Sequence, residues 1–326
     1  MSVGLRYYER VYLRGWSART CAGDAAASWS ACRQGVTALA QDDHQQWIGR
    51  CPPGTLTDLF ATCAAEAWAT LPARARPPVL ALSTSKGDMQ ALAAGLVAGV
   101  LPSLARCEMP GMATARALGI RHHLPAPAVA ACSTGLMSIL AAADLIEQGA
   151  AEHGLAGAAD RSLTPLLLAG YRAMGILCGS TPPQAFGDPT GFAPAEGAGV
   201  VALDRTGPWR LVAGVRLCDA SHETHNTDPA ALRACLASLW QACPDPDLIV
   251  THGTGTAAGD AYETAGLLSG PWRLAMRLHP KPVIGHCLGA SGAVELALAL
   301  QAPVRRLWKI GLGFGGHLAA LGIERG

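Results

Sequence analysis

Short, continuously apolar runs alternate along this 326-residue chain with longer segments in which apolar residues recur at helical spacing. That alternation predicts an α/β architecture. Residues 79–82, 200–203, 211–215 and 248–250 read as strands, and 133–148, 229–242, 260–268 and 290–301 as helices. Gly149 and the Gly270-Pro271 pair read as helix stops. Pro-rich breaks at 51–54, 77–78 and 182–183 punctuate the first half. A turn-rich segment, Asp204-Arg205-Thr206-Gly207-Pro208, divides the chain into 1–205 and 206–326.

Composition narrows the function classes. Half of the residues are apolar and 15% charged, which supports a substantial core and argues against disorder. Twenty-five basic residues against 24 acidic ones leave a net charge of +1, no surplus with which to neutralise a nucleic-acid backbone. Ala-rich runs raise the mean hydropathy to +0.23. No uninterrupted span of about 20 apolar residues occurs, because charges such as Asp144 and Glu147 break the longest runs. The opening MSVGLRYYERVYLRGW carries four charges and lacks the apolar stretch of a secretion signal, so a cytoplasmic location is expected. Eleven cysteines without a CxxC pair point to small buried hydrophobes in a reducing compartment, not to a zinc ribbon or a disulfide framework.

One cysteine stands in a different context. Cys132 follows a strand-like run, Pro127–Ala130, and precedes a long helical pattern. Its sulfur is expected at a helix N-terminus, where unpaired N–H groups and the positive dipole end would lower the thiol pKa. His252 directly follows the strand 248–250 and opens a loop, Gly253-Thr254-Gly255-Thr256, with Asp260 and Glu263 beyond it. The C-terminal ends of strands are where open α/β sheets place their sites. His286 follows Lys281-Pro282-Val283-Ile284-Gly285 and precedes small residues at 287–292, which repeats the Cys132 arrangement in the second half. Glu295 falls in a helix of Ala and Leu and, if buried, requires a partner, for which Lys281 is the candidate. The run Gly311–Gly316 contains GxGxxG formally, but only ten residues follow, too few for a dinucleotide fold, so it reads as a glycine-rich turn carrying Phe314. A Cys–His–His metal site is the competing reading. No pair has metal-ligand spacing, so no metal is expected and nucleophilic attack on a carbonyl fits better.

Taken together, ACSTGL around Cys132, THGTGT with Asp260 and Glu263, KPVIGH with GASGAVE, and the terminal GFGG resemble the β-ketoacyl-(acyl carrier protein) synthases of the thiolase superfamily. The resemblance runs over nearly the whole chain, through segments such as Leu155–Asp160, Ala169–Arg172 and Phe192–Gly199. It implies a thiolase-like five-layered α/β/α/β/α fold built from two similar halves. The first, 1–205, would carry the nucleophile and the second, 206–326, the two catalytic histidines. It further implies that Cys132 accepts the acyl group, that His252 and His286 bind the malonyl thioester carbonyl, and that Lys281 and Glu295 support them. Thr254 and Thr256 match pantetheine contacts, and Gly313, Phe314 and Gly315 the gating turn, with the Phe314 and Cys132 amides as an oxyanion hole.

The implied reaction is decarboxylative condensation of an acyl chain with a malonyl thioester in fatty-acid or polyketide/polyene synthesis. It needs no cofactor other than the phosphopantetheine arm of an acyl carrier protein, and it uses a homodimer or a heterodimer with another ketosynthase-like subunit. Arg74, Arg76, Arg106, Arg116, Arg121 and Arg172 are available to an acidic carrier. The chain departs from the family in a shortened segment ahead of Cys132 and in Ile310, Leu312 and Leu318 near the GFGG turn. Those departures keep open a chain-length-factor-like subunit with little activity of its own. A thiolase ranks last, because Cys287 is misplaced for a second catalytic cysteine.

Overall fold

The computed structural model describes residues 4–219, 221–224 and 226–326. Its first half comprises β1 (Gly4–Tyr7), β2 (Tyr12–Thr20), β3 (Gly23–Asp24), α1 (Ala25–Gln34), β4 (Ala40–Gln41), β5 (Trp47–Ile48), α2 (Leu56–Trp68), β6 (Val79–Ser83), α3 (Met89–Val97), α4 (Met109–Ala117), β7 (Leu124–Pro125), α5 (Thr134–Glu147), β8 (His153–Asp160), α6 (Pro165–Ala173) and β9 (Gly197–Asp204). The second comprises β10 (Trp209–Cys218), α7 (Pro229–Ala242), β11 (Leu248–Val250), α8 (Ala257–Leu267), β12 (Met276–Leu278), α9 (Lys281–Ile284), α10 (Ser291–Ala299), β13 (Arg306–Gly313) and β14 (His317–Arg325). Local signals set several of these limits. Thr55 and Asp58 close a capping box at the start of α2, and Asp228 caps α7 just ahead of Pro229.

Five strands of each half repeat one order and one set of directions. The first set runs β2-β9-β8-β6-β7, with β6 parallel to β7 and β8, and β9 antiparallel to its neighbours. The second runs β10-β14-β13-β11-β12, with β11 parallel to β12 and β13, and β14 antiparallel to its neighbours. Two register pairs, Trp209 with Leu13 and Arg210 with Tyr12, join the sets into one connected sheet. Strands β8 and β9 are buried throughout, as expected where helices cover both faces.

Helices α5 and α10 form the middle layer. Leu136, Ile139 and Leu140 of α5 and Leu296 of α10 share one core with Val79 and Val201 on one side and Val250, Leu307 and Leu321 on the other. Their close approach needs small residues: a Cβ on Gly135 would lie 2.9 Å from the Ala293 amide nitrogen. Helices α2 and α4 cover the outside of the first set, and α7 and α8 the outside of the second. The result is five layers, α/β/α/β/α.

Helix α7 and strand β11 match the expected limits, while two local expectations require correction. The strand expected at Pro127–Ala130 is absent, and β7 ends at Pro125. Pro125 and Pro127 have no N–H for a ladder, and the Ala128 amide turns instead to Ser83 Oγ at 3.0 Å. The run before His286 is also not a strand. Lys281–Ile284 is a single helical turn closed by Gly285 at φ 74°. The chain passes from β9 to β10 between Asp204 and Trp209, and β1 crosses back to pair with β10. Among the described residues, no helix is long and apolar enough to cross a membrane.

Candidate active site

After β7 the chain enters a 3-10 turn, Ala131–Ser133, that leads directly into α5. Ala131 holds φ at 46°, a left-handed conformation that an alanine adopts only under constraint. Thr134 supplies part of that constraint: its hydroxyl donates to the Ala131 carbonyl at 2.7 Å and accepts the Ala130 amide at 3.0 Å. The end of β13 packs against this turn, and only glycine fits there, since a Cβ at position 313 would stand 2.7 Å from the Ala130 oxygen. This approach brings the Phe314 amide to the Cys132 sulfur.

The expected lowering of the Cys132 thiol pKa is overturned. Burial pushes the thiol up, and the Lys86 and Lys281 ammonium groups and the Phe314 N–H only partly offset it. The partly buried sulfur faces a cavity lined mostly by apolar groups, where a thiolate loses more hydration than the neighbouring charges restore.

The second half contributes two imidazoles to the cavity that the sulfur lines. His252 leaves the end of β11, and His286 precedes a 3-10 turn, Leu288–Ala290, that leads into α10. Leu288 holds φ at 49°, so the strained turn before α5 has a counterpart before α10. The two rings are nearly perpendicular, with centroids 5.3 Å apart, and Phe192 stands edge-on to His286 at 5.5 Å. The Leu288 amide donates to His286 Nδ1 at 3.1 Å, and Ser291 Oγ lies 2.8 Å from the same nitrogen. An atom that accepts from an amide carries no proton, so the ring's N–H is on Nε2. Burial, reinforced by the charge of Lys281, holds both imidazoles well below their ordinary pKa. Each ring is therefore neutral near pH 7 and presents a single donor.

A buried ionic framework fixes the backbone that carries these rings. Glu263 of α8 accepts the His252 and Gly253 amides at 2.6 and 2.7 Å. Lys281 donates to the His252 carbonyl and to Glu295 Oε1, the latter at 2.7 Å. Lys309 donates to Glu295 Oε2 and to the Thr251 carbonyl, the latter at 2.9 Å. Two cations and two carboxylates, each at most 1% exposed, thus balance in charge. Desolvation nevertheless pulls Lys309 down to about 8. Asp260 braces the next stretch of loop, accepting the Thr254 and Gly255 amides at 3.1 Å and the Phe186 amide at 2.6 Å.

Cys132, His252 and His286 line one cavity of about 610 Å³, together with Thr254, Thr256, Gly313 and Phe314. Phe314 is 37% exposed at its mouth. Thr254 and Thr256 pair through their hydroxyls at 2.9 Å. Lys281 and Glu295 stand behind the imidazoles. Gly315 lies outside the cavity, its amide donating to the Glu223 carbonyl at 2.7 Å. Of the arginines offered to a carrier, Arg74, Arg76, Arg106 and Arg172 face carboxylates of the chain itself.

Sequence reasoning missed Lys86, Ser85 and Tyr171, which also line the cavity, and the part played by Lys309. Lys86 was accessible through the rule that located His252. It stands in a polar loop, Ser83-Thr84-Ser85-Lys86-Gly87-Asp88, at the C-terminal end of a parallel strand. Lys309 was not, because it lies inside β13 and reads as an interruption of an apolar strand.

Comparisons with known proteins place this geometry in context. The family descriptions "Beta-ketoacyl synthase, N-terminal domain" and "Beta-ketoacyl synthase, C-terminal domain" match residues 83–207 and 214–308. Nodulation protein E of Rhizobium meliloti is 32% identical over 236 residues, covering 68% of this chain and 57% of the relative. The 3-oxoacyl-[acyl-carrier-protein] synthase 2 of Vibrio cholerae is 29% identical over 217 residues, covering 58% and 52%. The chain thus spans about half the length of the curated relatives it matches. Among solved structures, the ishigamide ketosynthase/chain length factor superposes with a TM-score of 0.83 at 18% identity, over 98% of this chain and 100% of the other. That likeness establishes the thiolase-like fold.

Proposed function

Because the chain belongs to the β-ketoacyl synthase family, we propose that it catalyses decarboxylative condensation of an acyl group with a malonyl thioester, both delivered on an acyl carrier protein. The observation that carries this reading is the meeting, in one cavity, of a sulfur at the head of α5 with two neutral imidazoles.

In the first half-reaction Cys132 Sγ attacks the acyl thioester carbonyl. A carbon–sulfur bond forms to Cys132, the bond to the carrier's phosphopantetheine sulfur breaks, and the thiol proton leaves with the departing thiol. The Phe314 and Cys132 amides hold the oxyanion, a contribution of roughly 3–4 kcal/mol per donor in acyl-transfer sites. In the second half-reaction the malonyl thioester loses CO2, and the electron pair left behind forms an enolate. The His286 Nε2–H and the His252 ring donate to its oxygen. Neutral donors suit this step, since a charged imidazolium would protonate the enolate. The enolate carbon then attacks the acyl-Cys132 carbonyl, a carbon–carbon bond forms, the bond to the Cys132 sulfur breaks, and the departing thiolate takes a proton from solvent water. The product is a 3-oxoacyl chain two carbons longer. These steps call on no metal or further cofactor.

We assign partnership with a second ketosynthase-like subunit, identical or different, on the character of α3. This apolar helix buries none of its residues, and Val97 is 92% exposed. A face of that kind is expected to be covered in an assembly. A purely structural, chain-length-factor-like role is the weaker reading, because such a subunit has no need of a sulfur, two neutral imidazoles and the ions behind them.

Incubating the protein with hexanoyl- and malonyl-loaded carrier protein, alone and with candidate partner subunits, tests the proposal. The expected result is a 3-oxooctanoyl carrier that requires Cys132. Absence of that product in every combination contradicts it.

A further inference from the structure

We propose that Lys86 is a specificity-determining residue, selecting acyl groups that carry a neutral hydrogen-bond-accepting oxygen close to the thioester over plain alkyl chains. The inference rests on the condensing function proposed above. The cavity beyond Cys132 is lined by Leu167, Met174, Ile176, Phe192 and Leu288, as suits an acyl chain. Lys86 interrupts this wall on the same side as the sulfur.

Its position is fixed by the backbone. Gly87, at φ 71°, lies so close to the 102–106 segment that a Cβ would meet the Ala105 carbonyl, and its amide donates to Thr84 Oγ1 at 2.7 Å. The ammonium donates to Ser85 Oγ at 2.8 Å. Ser85 in turn donates to Asp160, which also accepts the Ser162 hydroxyl and the Gly289 amide. The Tyr171 phenol lies beside the ammonium. Among the described residues, no carboxylate oxygen reaches ion-pair distance of Lys86.

The ammonium has three N–H bonds, and these neighbours leave at least one for the cavity. An alkyl chain packed over it would bury a charged donor with nothing in exchange, which is costly. An oxygen on the acyl chain restores the missing bond. The oxygen is neutral because Asp160 already balances the ammonium, so a carboxylate would add uncompensated negative charge. The class implied is a 3-oxo or similarly oxygenated acyl group.

The test compares rates of Cys132 acylation by hexanoyl and 3-oxohexanoyl N-acetylcysteamine thioesters, read by intact-protein mass, in the parent protein and in Lys86→Met. The parent should favour the 3-oxo ester about tenfold, the ratio expected for one bond to a charged donor. Lys86→Met should bring the ratio to within about twofold, with the 3-oxo rate falling more than the hexanoyl rate. Lys86→Gln, which keeps a donor, should retain part of the preference and stands in if the Met variant melts early. Equal parent rates, or a uniform slowing of both esters in Lys86→Met, would overturn the assignment; uniform slowing would show instead that Lys86 acts through the Cys132 thiolate. If neither acyl group reaches Cys132, offered as these esters or on the acyl carrier protein, the condensing function itself falls and takes this inference with it.

Discussion

The two sides of the cavity are built from similar parts and differ in how completely their hydrogen-bond donors are used within the chain. Behind the imidazoles, Lys281, Lys309, Glu295 and Glu263 are buried, equal in number by sign, and bonded to one another or to backbone. Beside the sulfur, Lys86 reaches Asp160 only through Ser85 and keeps a donor for the cavity. The first arrangement fixes the backbone that carries His252. The second is completed by whatever enters. Rigid positioning and selectivity are thus assigned to opposite halves of a pseudo-symmetric fold.

Substitutions should expose this contrast. Glu295→Leu leaves two buried ammonium groups facing each other, and is expected to cost about 3–5 kcal/mol of folding stability. Urea unfolding should show that loss, whereas Lys86→Met should stay within about 1 kcal/mol, as one partly compensated charge gives way to an apolar side chain of similar length. Equal losses would mean the two networks are not different in kind. His286→Gln should slow carbon–carbon bond formation by about 100-fold or more while leaving Cys132 acylation near its original rate, since the proposed reaction uses the ring in the malonyl half-reaction. Single-turnover measurements separate the steps.

Acid should act through the imidazole side. Both rings sit well below their ordinary value of 6.5 when folded. Below that pH the unfolded chain therefore binds protons that the folded chain does not. Stability is complete above 6.5 and falls as the pH drops, by about 1.4 kcal/mol per pH unit for each ring. Urea midpoints from about pH 7.5 to 5.5 should show the decline, and His286→Gln should remove one ring's share of the slope. The smallest effect belongs to Ser291→Ala. It removes a hydroxyl from His286 Nδ1 while the Leu288 amide still fixes the tautomer, so condensation should slow by less than about tenfold.

Much of this arrangement was legible in the sequence because it is local. Leu248–Val250 and Pro229–Ala242 announce their elements by pattern, and Cys132, His252 and His286 each stand at a junction between an apolar run and a helix. What escaped depends on distance and environment. The thiol's rise follows from enclosure by side chains far apart in sequence, which the helix N-terminus alone could not reveal. Lys309 reads as a flaw in a strand until Glu295, 14 residues away, is folded against it. Pro127 reads as part of a strand because its neighbours are apolar, although it lacks the donor a ladder needs.

The central claim is that Cys132 carries the acyl group while the two imidazoles act only afterwards. Intact-protein mass after incubation with an acyl carrier thioester, followed by peptide mapping, tests it directly. The account predicts one added acyl group, located on Cys132, lost in Cys132→Ala and retained when His252 and His286 are both replaced by Gln. An adduct on another residue, or loss of acylation in the double histidine variant, would contradict it.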